Sequence, residues 1–132
     1  MMRRSTKIWI LALGSVAAAL LVSLLAGIYW LFRSGVTLSL DNKFGDQHLK
    51  TTVALVELHK TRYGAYPDSL SELRFVGDWD AIALGSVKYC AAQDHKSYFV
   101  EVLRGWVAKP DLELPAEFWK GTGFNSSLGP CR

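Results

Sequence analysis

Apolar residues fall into three regimes along this chain. From Ile8 to Phe32 no residue is charged: IWILALGSVAAALLVSLLAGIYWLF. The 25 residues exceed the roughly 20 that cross a bilayer's hydrocarbon core. Trp9 stands at one end and Tyr29 and Trp30 at the other, where aromatic rings favour the membrane interfaces. From Leu49 to Leu73 the spacing becomes helical. Leu49, Val53, Val56 and Tyr63 share a face that Leu55 and Leu58 widen. Gly64 suits a left-handed helix end, and Tyr66-Pro67 forces an extended residue. Asp68 or Ser69 can then cap a second, short helix, and Ser69 with Glu72 fits a capping box. Beyond position 86 the period is two. Val87–Ala91 and Tyr98–Leu103 read as strands about a polar Gln93–Lys96 turn, with Tyr98, Val100 and Val102 on one face.

The segments between are less regular. Val36, Leu38 and Leu40 alternate with Thr37 and Ser39, which suggests a short strand or an extended linker. Asp41-Asn42 reads as a turn or helix start, and Asp46 as an N-cap for the helix that follows. Residues 74–86, RFVGDWDAIALGS, read as loop with at most one helical turn. Trp106–Ala108 reads as a third strand or a continuation past a bulge. Glu117–Trp119 could form one helical turn in a Gly- and Pro-rich tail. The pattern predicts an α+β chain: a transmembrane helix, then a long amphipathic helix packed on a small antiparallel sheet. Its divisions are a cytoplasmic tail at 1–7, an anchor at 8–32, a linker or short strand at 33–44 and one periplasmic domain at 45–132.

Charge fixes the orientation. Arg3, Arg4 and Lys7 precede the apolar run and only Arg33 directly follows it, so the positive-inside rule places the N-terminus in the cytoplasm. A cleaved signal peptide would have a shorter apolar core and a small-residue exit. Here bulky Tyr29–Phe32 fill the exit, so the run reads as an uncleaved inner-membrane anchor with the rest of the chain in the periplasm. The formal charge of +3 comes from the membrane flanks. All 12 acidic residues lie after position 33, where they slightly outnumber the basic ones. No basic, aromatic-interleaved patch marks a nucleic-acid surface.

Candidate chemistry is sparse. His48 and His59 lie on one helix face but about 16 Å apart along its axis, too far to share a metal. Asp78 and Asp80 flank Trp79 and could begin an oxygen-ligand calcium site, but Tyr89 stands where an EF-hand needs Glu. No nucleophile elbow, CxxC, P-loop or HExxH occurs. The sequence therefore predicts no enzyme, cofactor, metal or small-molecule substrate. Cys90 and Cys131 both fall outside the membrane, where an oxidising compartment lets them pair. Such a bond closes a loop of roughly 40 residues, worth about 3–4 kcal/mol in the chain-entropy picture; two free, buried thiols are the alternative. The aromatics Trp79, Trp106, Phe118 and Trp119 are the candidate partner-binding residues, because such side chains concentrate at interface hot spots. Core packing is the competing use of each.

The run Tyr63-Gly64-Ala65-Tyr66-Pro67-Asp68-Ser69-Leu70-Ser71-Glu72-Leu73 resembles the exit from the first helix in type IV pilins and type II secretion pseudopilins. Cys90 and Cys131 occupy places similar to the ends of the loop many type IV pilins close. No Gly cleavage site precedes Ile8 and no acid lies in the apolar run. The resemblance thus implies a membrane-tethered pilin-like head, not a polymerised subunit. It points to docking on a pilus-, secretion- or division-related envelope assembly. A periplasmic immunity or inhibitor protein is the alternative reading, and a periplasmic hydrolase the third.

Overall fold

The structure, a computed structural model, describes residues 4–33, 35–74 and 76–129. The chain divides into two compact units, 1–37 and 38–132. The first is dominated by helix α1, Arg4–Arg33. Its segment Trp9–Arg33 is long and apolar enough to cross a membrane, and none of it is buried. Gly35 then takes φ +74°, a left-handed turn that only glycine adopts without cost.

Helix α2 begins immediately, at Val36, and runs 28 residues to Tyr63. The strand or linker expected at 33–44 is therefore overturned, and Asp46 caps nothing: it is mid-helix and pairs with Lys50 at 2.7 Å. The inward stripe explains why. It reads Asp41, Gly45, His48, Leu49, Thr52, Val53, Val56, correctly spaced but polar or small in its first half. Apolar periodicity cannot report such a face. Each polar member is satisfied inside the fold. Asp41 is 3 % exposed, and its Oδ1 accepts from the Val107 N–H at 2.6 Å and the Ala108 N–H at 2.9 Å. Thr52 Oγ1 donates to the His48 carbonyl at 2.8 Å. Next to Asp41, Asn42 Oδ1 accepts from the Asp111 N–H at 2.9 Å.

These bonds also correct the third strand. Val107 and Ala108 give their N–H groups to a helix carboxylate, while Gly105 N–H closes a turn on the Ala108 carbonyl at 2.7 Å. Residues 105–108 are a bend, not a strand. The same bonds hold the Asp41 carboxyl below its ordinary pKa, Val107 contributing most, then Ala108. A depressed carboxylate stabilises the fold above its unfolded pKa of about 3.9, and that stability is lost as pH falls through the folded value. Urea melts should accordingly show the gap between wild type and Asp41→Asn narrowing from about pH 5 to pH 3. A gap independent of pH would mean the carboxylate's charge holds nothing in place.

α2 ends as expected, with Gly64 at φ +81°. The capping box that follows does not form. Ser69 makes no side-chain cap bond, Glu72 Oε2 instead accepts from the Asp68 N–H at 3.2 Å, and the second helix is one 3-10 turn, Leu70–Glu72. In the stretch expected to be loop, Asp78–Leu84 forms helix α3. Its third residue, Asp80, accepts from the Gly77 N–H at 2.8 Å through Oδ2, the carboxylate half of a capping box.

Strands β1 (Val87–Ala91) and β2 (Tyr98–Val102) pair antiparallel, with Val87 opposite Val102 and Ala91 opposite Tyr98. Tyr98, Val100 and Val102 face the core as the alternation predicts. Helix α4 is the single turn Ala116–Trp119. Leu49, Val53 and Val56 of α2 share one buried cluster with Tyr66, Leu73, Val87, Tyr98, Val100 and Val102. The architecture is thus mixed: a long apolar helix, further helices and a small antiparallel sheet.

Candidate functional site

A cleft with mostly apolar walls, about 310 Å³ in volume, lies in the second unit. Three parts of the chain build it. α2 contributes Phe44, His48 and Thr51 at one-turn spacings; α3 contributes Trp79, Ile82 and Ala83; the bend after β2 contributes Arg104, Gly105 and Trp106. The Asp41 bonds that hold residues 107–108 on α2 place Trp106 beside Phe44, with ring centroids 4.9 Å apart. His48 lies buried beneath, its Nδ1 3.3 Å from the Arg104 carbonyl oxygen. Trp79 is 84 % exposed and Trp106 59 %. The Arg104 guanidinium makes no ion pair among the described residues.

The four aromatics proposed from the sequence separate into two pairs. Trp79 and Trp106, 27 positions apart, meet at the cleft. Phe118 and Trp119 go elsewhere. Trp119 stacks on Phe124 at 3.9 Å, Phe118 meets Trp119 edge-on at 4.7 Å, and all three pack half-buried against the core cluster. Phe44, Thr51 and Ile82 belong to the cleft without having been singled out. Helical spacing from Phe44 to His48 to Thr51 carries that signal once α2 is known to start at Val36.

A second polar centre is internal. The Glu57 carboxylate accepts from Tyr66 Oη at 2.9 Å, Tyr98 Oη at 3.0 Å and the Gly123 N–H at 2.9 Å. It ties α2 to the helix exit, to β2 and to the C-terminal segment at once. Burial first, then the Glu57 bond, push the Tyr66 hydroxyl up to about 12. Burial, followed by the Glu57 charge, raises Tyr98 as well. Sequence reading missed Glu57 because nothing local distinguishes it from the other charged residues of α2.

Three other candidates of the sequence make contacts within the fold. Asp80 is engaged at the start of α3. His59 Nδ1 lies 3.1 Å from the Ala65 carbonyl oxygen and His95 Nδ1 3.2 Å from that of Tyr66. Among the described residues, no three His, Cys, Asp or Glu side chains gather to hold a metal. Cys90 lies half-buried on β1, and Cys131 is outside the described residues. No family model, curated protein or solved structure matches the chain.

Proposed function

We propose that this chain is a single-pass, membrane-anchored interaction protein. Its pilin-like domain, held in the periplasm, docks non-catalytically on an envelope assembly of the pilus or secretion kind. The observation that carries the reading is the order of parts: an apolar, wholly exposed helix at Trp9–Arg33, then, two residues on, a helix that enters a folded domain. The excess of basic residues ahead of the anchor supports an N-terminus in the cytoplasm. A helix leaving through Gly64 and Tyr66-Pro67 into an antiparallel sheet supports the pilin resemblance. The domain's best-placed acids, Asp41, Glu57 and Asp80, are occupied as internal ties, which suits a binding role.

The test is purification of tagged, full-length protein from envelope membranes with its partners identified by mass spectrometry. Pilus, secretion or division components are the expected result. A single secreted hydrolase bound tightly would replace this reading with that of an inhibitor.

The proposal includes a Cys90–Cys131 bond fastening the C-terminal segment to β1. Thiol labelling of unfolded, unreduced protein should then find both cysteines blocked, and labelling of both would refute the bond.

A further inference from the structure

The cleft between α2, α3 and the bend after β2 presents two exposed tryptophans. We propose that it docks on the bilayer itself: Trp79 and Trp106 insert at the headgroup level of zwitterionic lipid and lay the domain on the membrane that anchors it. The inference rests on the anchored reading above and adds a face and a ligand to it.

Chain length is the first argument. Ser34 and Gly35 are all that separates α1 from α2. Phe44, one wall of the cleft, lies eight residues past Val36. Three extended steps and that helical rise keep it within about 23 Å of Arg33, whatever the angle at the break. A surface tethered so closely meets lipid at a far higher effective concentration than it meets any diffusing protein.

Side-chain chemistry is the second. Trp79 and Ile82 are both exposed and one turn apart on α3, and exposed Trp106 lies across the cleft from them. Indole rings combine an apolar body with an N–H donor and favour the bilayer interface. Leu38, on α2's first turns and still nearer the anchor, is exposed as well. Arg104 at the lip is available to a lipid phosphate. Asp78 and Asp80 flank Trp79 and oppose an anionic surface, which selects zwitterionic headgroups.

The test uses the full chain with 5-fluorotryptophan at all five tryptophans, one chain per phosphatidylcholine nanodisc. Single Trp→Phe variants assign the fluorine signals, and a water-soluble gadolinium chelate reports exposure. Trp79 and Trp106 should escape broadening, as Trp9 and Trp30 do in the anchor, and should broaden instead with a headgroup-nitroxide lipid. Suppose Trp79 and Trp106 broaden fully in the chelate while Trp9 and Trp30 stay protected. The bilayer proposal is then overturned, the anchor stands and the cleft is left to a protein partner. If the chain fails to co-elute with the discs, the anchored reading falls and takes this one with it.

Discussion

Replacing Glu57 by alanine should cost about 4 kcal/mol of unfolding free energy in detergent-solubilised full-length protein. Three donors converge on that one carboxylate: two tyrosine hydroxyls and the Gly123 N–H. Hydrogen bonds to a charged group contribute about 1.5–3 kcal/mol each, and truncation leaves every donor without its acceptor. The side chain is half-buried, so water rescues part of the loss and the total stays below the sum of three. Tyr66 and Tyr98 are themselves among the buried core, so the orphaned hydroxyls are not free to turn outward. Tyr66→Phe and Tyr98→Phe remove one donor each and leave the acid bonded to the others, so each should cost about 1 kcal/mol. The tyrosine shift adds a pH signature. A hydroxyl raised to about 12 stabilises the fold fully below its unfolded value near 10, and that stability is lost as pH rises through about 12. Urea unfolding followed by circular dichroism measures the loss. A Glu57→Ala change costing under about 1 kcal/mol would show that solvent, not Glu57, satisfies these donors.

What the sequence could reveal follows from how local each cause is. The long apolar helix was legible because 25 uncharged residues are a property of one segment. So were the exit at Gly64 and Tyr66-Pro67, where backbone sterics act within a few residues, and the two strands, whose alternation is read residue by residue. The first three turns of α2 were not. Their inward face, Asp41, Gly45 and His48, is made acceptable by groups more than 50 positions away: the N–H groups of Val107 and Ala108, the side chain of Pro110 and the carbonyl of Arg104. Without those partners Asp41 is a turn signal, and Val36–Leu40 is as good a strand as a helix. The cleft was half legible for a related reason. Residue type marked Trp79, Trp106, Phe118 and Trp119 alike, but only tertiary contacts pack the last two with Phe124 against the core and leave the first two exposed.

Those distant contacts make Gly105 the position where a single methyl group should do most damage. A Cβ built there lies 2.1 Å from the Asp41 carbonyl oxygen and 2.6 Å from its Cα, so the obstacle is helix backbone, which cannot swing aside. The bend must withdraw from α2 instead. Gly105→Ala should cost about 3 kcal/mol, the upper end of what overpacking does. Gly45→Ala is the informative control. Its Cβ meets the buried Pro110 ring, 2.4 Å from Cγ, a side chain rather than helix backbone, so a smaller cost of about 1–2 kcal/mol is expected. Withdrawal also separates Trp106 from Phe44 and takes Arg104 off His48, so the cleft is lost together with the stability. In the nanodisc experiment the Trp106 signal of Gly105→Ala should then broaden in the chelate even where the wild-type signal is protected. A cost under about 1 kcal/mol with Trp106 unchanged would mean that the bend is not seated on Asp41, and that α2's polar stripe is held by something other than the segment after β2.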